Sequence, residues 1–291
     1  MSYGKRISWL EQQKGPSIST QDFKNIILFD MDGTLTPPRE PFELTLLSPL
    51  RELSNYATLG IVSGSDYDYI MEQMDYVFHK SELKYSLHLL PCNGTKWYTP
   101  PSSNEEGFQK NHEVNMKSHL GDDIYHKLIS VLLGLQYHIS ALSIPLSGEF
   151  IQYRGSMVNW CPIGRSAESS DRKTFTKLDK RKQIRKTYLK MLRKELILQG
   201  LDEYITCSLG GDTSFDIYPT GWDKTYALRH FEGYDVWFVG DRCEKNGNDR
   251  NIYDALRGEN KSYKTKGPNQ TREIIMNIVD ILKMENVLYD R

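Results

Sequence analysis

The sequence predicts an α/β protein, with a Rossmann-like parallel-sheet core interrupted by an inserted α+β cap. Three observations carry that expectation. Apolar runs at residues 25–29, 57–62 and 236–239 read as strands buried on both faces, as in parallel sheets. Each run ends in a polar or acidic loop: Asp30-Met-Asp32, Ser63-Gly64-Ser65 and Gly240-Asp241. Between the second and third runs the pattern changes, so strand–helix alternation at both ends brackets an insertion.

The first run ends in Asp30 and Asp32, spaced i, i+2, and Gly33 permits a sharp turn. Open α/β sheets bind ligands beyond the carboxyl ends of their strands. Two carboxylates placed there can hold Mg²⁺ through oxygen, and one can attack phosphorus. An isolated Asp-x-Asp turn equally often just ends a strand; the full Asp30-Met-Asp-Gly-Thr-Leu-Thr36 context is more specific. The stiff Pro37-Pro-Arg-Glu-Pro41 that follows is not expected to be helical. Residues 46–56 read as an amphipathic helix and 57–62 as the second strand. Ser63 and Gly64 at its end, opening a helix over 66–74, can cradle an anion with backbone N–H groups and a hydroxyl. An ordinary serine N-cap explains the same residues taken alone.

Residues 76–78 read as a short strand and Asn93-Gly94-Thr95 as a turn or hairpin. Pro100-Pro-Ser-Ser-Asn104 marks a composition shift. The expected division is an N-terminal extension at 1–22, a core at 23–108 and 220–291, and a cap at 109–219. Within the cap a helical pattern begins near Lys110, with an apolar-periodic run over 121–135 and paired strands at 148–154 and 157–160. A long amphipathic helix is expected over 179–198. Eleven Lys/Arg lie between Arg172 and Lys194, with Asp179 the lone acid among them, and most of them read as a solvated helix face. Strand character returns at 214–218, Lys224 sits near the start of a helix, and a last helix runs over 271–284.

The 291 residues carry a formal net charge of -1, so no global field favours nucleic acid or a membrane surface. The four cysteines have no C-x-x-C spacing, which argues against zinc or a disulfide framework and suits a reducing compartment. Residues 1–20 have no apolar signal-type segment, and no apolar run approaches the ~18 residues needed to span a bilayer. A cytoplasmic protein without nucleic-acid or membrane partners is expected.

Parallel strands put Asp30/Asp32, Ser63/Gly64, the turn with Lys224, and Asp241 with Asp249 on one sheet edge. Phosphoryl transfer needs an in-line nucleophile, a bridging cation and donors for the equatorial oxygens. Two acidic strand ends supply a Mg²⁺ site; a lysine and a serine supply donors. The core, on these loops, resembles the haloacid-dehalogenase superfamily. From about Lys24 to Leu282 the chain is similar to the eukaryotic-type phosphomannomutase family. Beyond the core loops, the residues carrying that similarity include Ser118-His-Leu-Gly121, Pro162-Ile-Gly-Arg-Ser166, Ser214-Phe-Asp216, Gly221-Trp-Asp-Lys224 and Tyr226-Ala-Leu-Arg-His230.

The resemblance implies that Asp30 is the nucleophile and Asp32 the general acid/base. It implies Mg²⁺ on the Asp30 carboxylate, the Asp32 main-chain carbonyl and Asp241, with Lys224 neutralising the phosphoaspartate. Ser63 or Gly64 would donate to a phosphoryl oxygen. Arg154, Arg165 and Arg172 match the family's distal-phosphate arginines, Ser214 and Asp216 its sugar contacts, and Arg39 a further substrate contact. The implied activity interconverts mannose 6-phosphate and mannose 1-phosphate, primed by a hexose 1,6-bisphosphate, in a homodimer joined through the cap. A sugar-phosphate phosphatase and a non-catalytic sugar-phosphate-binding protein are the rivals; the three cap arginines argue against the first and the intact acidic core against the second. Cys92 stands where the family usually has an acid, Ser63 where relatives often have glycine, and Asn246-Gly247 where it has paired glycines.

Overall fold

The central strand β1 (Asn25–Phe29) turns Ile26 and Leu28 to one apolar layer and Ile27 and Phe29 to the other, all four fully buried. Burial on both faces is why the run is apolar throughout. The computed structural model of the protein describes residues 23–38, 40–103 and 106–289, with side chains to residue 285. The expected extension 1–22 and Arg39 lie outside the described residues.

After β1 the chain forms α1 (Leu47–Leu53), β2 (Thr58–Val62), α2 (Tyr67–Gln73) and α3 (Asp75–Lys80). Strands β3 (Leu87–Leu90), β4 (Lys96–Thr99) and β5 (Gln109–Glu113) follow. Next come α4 (Met116–Leu120), α5 (Asp122–Ser140), β6 (Ile151–Tyr153) and β7 (Val158–Trp160). Helices α6 (Ser169–Lys182) and α7 (Ile184–Leu198) precede β8 (Ile205–Gly210) and β9 (Ser214–Pro219). A 3-10 segment (Lys224–Phe231), β10 (Asp235–Gly240), α8 (Arg250–Arg257), β11 (Ser262–Lys264) and α9 (Pro268–Tyr289) complete the order.

The larger sheet has seven strands in the order β11-β10-β1-β2-β3-β4-β5. Its first five are parallel and the last two antiparallel. The smaller sheet is antiparallel, β6-β7-β9-β8. Its core stacks Trp160 on Phe215 at 4.6 Å between ring centres and includes Leu128, Leu132 and Leu192 from α5 and α7. Among the described residues no helix is long and apolar enough to cross a membrane.

Several local readings are corrected. Residues 76–78 are helical, in α3, where Asp75 opens the first turn and His79 and Lys80 close the last, the arrangement the helix dipole favours. The strand beside β2 is instead β3. Residues 110–113 are strand, in β5, and the chain leaves the larger sheet only after them. The single helix expected over 179–198 is two. It breaks at Gln183, which adopts the left-handed conformation (φ 54°, ψ 38°). Asp179 makes the break stable: its carboxylate accepts from the Arg185 backbone N–H at 2.7 Å and from Arg185 Nε at 2.8 Å. The helical pattern continues across the break because α6 and α7 both bury apolar residues in the cap.

A non-glycine residue held in the left-handed region costs free energy that glycine avoids. Gln183→Gly is therefore expected to stabilise the protein by about 0.5–1 kcal/mol, read from urea unfolding; a continuous helix would instead lose about 1 kcal/mol.

Candidate active site

Strands β1, β2 and β10 are neighbours and parallel, so Asp30, Ser63 and Asp241 leave the sheet side by side. The Asp30 N–H still donates to Val239 of β10, at 2.9 Å. The chain then folds back on Met31, whose carbonyl accepts from Thr34, Leu35 and Thr36 at 3.1, 2.9 and 3.0 Å. Gly33 has φ +86°, and a Cβ there would overlap the Asp241 carboxylate. A glycine is required on both counts.

Lys224 is fully buried and bridges two carboxylates. Its ammonium donates to Asp30 Oδ1 and, at 2.5 Å, to Asp249 Oδ1. Asp223 fixes the approach of Lys224 by capping the 3-10 segment, accepting from the Thr225 N–H at 2.8 Å. Asn251 donates to the other Asp223 oxygen at 2.6 Å, and Asn93 Nδ2 donates to the Trp222 carbonyl at 3.2 Å. Burial opposes the Lys224 charge, but Asp249 and Asp30 outweigh it and hold its pKa above the ordinary lysine value.

The sequence places Asp249 with Asp241 on the shared sheet edge but assigns it no role in catalysis or metal binding. In the structure its second oxygen accepts from the Arg242 N–H at 2.9 Å. Asn246 in the same loop takes φ 72°, a conformation asparagine tolerates, so the loop keeps its path without a paired glycine.

Carboxylate oxygens of Asp30, Asp241 and Asp249 lie within 4.8 Å of one another. The Lys224 ammonium and, at the edge, the Arg242 guanidinium 3.3 Å from Asp241 Oδ2 face three acids. Asp241 Oδ1 and Asn248 Oδ1 are buried without a hydrogen-bond partner. Excess negative charge and orphaned oxygens fit a hard divalent cation taking oxygen ligands. Burial, then the Asp249 charge, pushes the Asp30 carboxyl well above its usual range, against the pull of Lys224. Burial and Asp249 likewise push Asp241 up to about 7. The Asp32 carboxylate is not in this cluster; it accepts from the Tyr69 hydroxyl at 3.1 Å. Tyr69 sits one turn into α2, whose N-cap Asp66 accepts from the Tyr69 N–H at 3.1 Å. Sequence periodicity gave no sign of that contact.

On the cap side, Arg154 is buried and donates through Nη1 to the Gly64 carbonyl at 2.7 Å, with Nε to Gln152 Oε1 at 3.1 Å. It therefore fastens the β6–β7 turn to the loop after β2. Ser63 is buried and its hydroxyl accepts from the Ser65 N–H at 3.0 Å; the turn at Cys92 and Asn93 braces the same loop, Asn93 N–H donating to Ser63 O at 2.7 Å. Asp216 is buried on β9 and accepts from Asn159 Nδ2 at 2.8 Å. Gly64 and Gly210 make room for it, since a Cβ on Gly210 would collide with its carboxylate. Burial raises the Asp216 pKa, while Arg154, Asn159 and Arg165 oppose the rise. Arg172 braces the loop before α6, donating to the carbonyls of Ala167 at 2.9 Å and Arg165 at 2.7 Å, and to Thr213 Oγ1 at 2.9 Å.

A cleft of about 490 Å³ runs between the two sheets' layers. Asp30, Asp32, Ser63, Gly64 and Asp241 line its core side; Arg154, Arg165, Arg172, Ser214 and Asp216 line its cap side. Lys224 lies behind Asp30. All the expected site residues among those described thus converge, and Asp249 and Tyr69 join them.

Residues 46–281 match the family model described as eukaryotic phosphomannomutase. The chain belongs to that family. A phosphomannomutase of Solanum lycopersicum is 37% identical over 242 residues, covering 80% of this chain and 86% of the relative. One of Drosophila melanogaster is 34% identical over 265 residues, covering 88% and 96%. The structure resembles N-terminally truncated, IMP-bound IMP-nucleotidase of Plasmodium falciparum, with a TM-score of 0.62, 14% identity and coverage of 89% and 69%. That likeness concerns the fold alone. The family match begins after the Asp30 loop, so in the phosphomannomutase site that loop is placed by the geometry above.

The raised Asp241 pKa has a thermodynamic sign. Its folded value of about 7 exceeds the ordinary 3.8, so without a cation stability falls as pH rises through that window and the penalty is complete above it. A divalent cation bound to the ionised form would remove the penalty. Thermal unfolding should show a larger Mg²⁺-induced rise in Tm above about pH 7 than near about pH 5, and Gly33→Ala should blunt that rise by displacing Asp241. An equal rise at both pH values would contradict the assignment.

Proposed function

We propose that this protein is a Mg²⁺-dependent phosphomannomutase that interconverts mannose 6-phosphate and mannose 1-phosphate, primed by a hexose 1,6-bisphosphate. The observation that carries this reading is the single cleft in which Asp30, backed by Lys224, faces the cap arginines. One phosphate can meet the nucleophile while the guanidinium groups hold the other.

When bound at Asp30, Asp241 and Asp249, Mg²⁺ would supply neutralising charge for the phosphoryl oxygens. Asp30 attacks phosphorus, forming the aspartyl O–P bond as the bond from phosphorus to the sugar oxygen breaks. Asp32 gives a proton to that leaving oxygen and later takes one from the hydroxyl that receives the phosphate. Tyr69, donating to Asp32, orients the carboxylate for both transfers. Lys224 stays charged between Asp30 and Asp249 and offsets the negative charge of the phosphoaspartate. The Ser63 hydroxyl and the Gly64 backbone N–H serve the reacting phosphoryl group, the Ser63 N–H being held by the Leu90 carbonyl at 3.2 Å. Ser214 and Asp216 meet sugar hydroxyls, and Arg154, Arg165 and Arg172 hold the distal phosphate. Because the arginines close the cleft from the cap side, water is kept from the phosphoaspartate and sugar is the acceptor. A homodimer joined through the cap belongs to the same proposal, supported by Leu133 and Tyr137, which expose apolar surface one turn apart on α5.

The assay uses mannose 1-phosphate, Mg²⁺ and catalytic glucose 1,6-bisphosphate, following both mannose 6-phosphate and free phosphate. Isomer with little phosphate is expected; dominant phosphate release would make the protein a phosphatase. Asp30→Asn should lower turnover by on the order of 10⁴-fold or more with the fold intact, and near-wild-type activity would remove Asp30 from its role. Loss of one charge-assisted contact is worth roughly 1.5–3 kcal/mol, so Arg165→Ala should raise KM about tenfold or more with a smaller effect on kcat.

A further inference from the structure

The cationic run beginning at Arg172 reads in the sequence mainly as a solvated face, yet Arg172 and three lysines after it line the cleft. Lys173, Lys177 and Lys180 lie at i, i+4 and i+7 on α6 and border the cavity, while Phe175 of the same helix is fully buried in the cap core. The three lysines are exposed and form no ion pair among the described residues. Nearby charges are already engaged: Arg185 pairs with Asp179 at 2.8 Å, and Asp212 across the cleft pairs with Arg242. The cap wall therefore carries more positive charge than one sugar phosphate needs.

We propose that Lys173, Lys177 and Lys180 form a retention site that keeps the doubly phosphorylated hexose in the cleft while it turns end for end. This rests on the mutase reading above. A turning intermediate must leave both directional phosphate sites at once, so geometry-specific arginine forks cannot hold it at that moment. Lysine ammonium groups are point charges on flexible stems and attract a phosphate in many orientations. Asp30, Asp32, Glu40, Asp212, Asp216 and Asp241 also line the cleft, but its α6 wall is cationic, and clustered like charge raises the local potential. The bisphosphate carries about −3 to −4 charge, twice that of substrate or product. The same field therefore retains the intermediate more strongly than the monophosphates, which must exchange with solvent.

The test compares the full chain with the triple variant Lys173→Gln, Lys177→Gln, Lys180→Gln and its charge-keeping triple arginine counterpart. Two quantities are measured during isomerisation of mannose 1-phosphate: the glucose 1,6-bisphosphate needed for half-maximal rate, and the bisphosphate released free per turnover. The glutamine variant is expected to need about tenfold more bisphosphate and to release more of it, losing more in this requirement than in maximal rate. The arginine variant should recover most of the difference, and high salt should narrow the gap by screening. An unchanged requirement, or a gap insensitive to salt, overturns the retention site while leaving the mutase reading intact. Phosphate release in place of isomer by the unaltered protein overturns the mutase reading, and the retention site with it.

Discussion

The buried ammonium of Lys224 is the interaction on which the rest of the site depends. It joins Asp30 to Asp249, the first of these 194 residues away in sequence. Burying an unpaired charge costs several kcal/mol, so the three groups stand or fall together. Three carboxylates around one ammonium, with the Arg242 guanidinium at the edge, leave an unbalanced negative charge that a cation is suited to neutralise. The upward shifts at Asp30 and Asp241 come first from burial and then from the neighbouring Asp249 charge. The same excess is what would make the site bind a hard cation and, through it, phosphate.

Sheet topology decides that these groups can meet. Because β1 lies between β10 and β2 in parallel register, three loops widely separated in sequence open on one edge. The smaller sheet then closes over that edge. Arg154 reaches across to the Gly64 carbonyl, and the absence of side chains at Gly64 and Gly210 lets Asp216 approach. A phosphatase requires only access for water. A cleft walled by arginines opposite Asp30 instead suits a substrate held at both ends, and the lysines of α6 extend that wall beyond the directional contacts.

Much of this was legible in the residue order. The strands that carry the catalytic loops are apolar on both faces, so their existence and parallel pairing followed from composition alone. Asp30, Asp32, Ser63 and Asp241 followed from their place at strand ends, and the cap residues from the resemblance to the family. Short segments were less legible. Residues 76–78 have strand-forming side chains, but Asp75, His79 and Lys80 complement a helix dipole and the segment packs as α3. The break at Gln183 was hidden because the apolar period runs through it, and only the Asp179–Arg185 contact reveals the turn.

The sequence by itself determined which groups stand at the ends of which strands, because burial imposes a pattern that local composition must obey. Only the tertiary structure decided which of those groups share a charge. Asp249 joined the cluster because Lys224 reaches it, Asp32 turned to Tyr69, and Lys173, Lys177 and Lys180, though exposed, border the cleft. Such pairings depend on distances of a few ångströms between segments far apart in the chain. Periodicity carries no record of those distances.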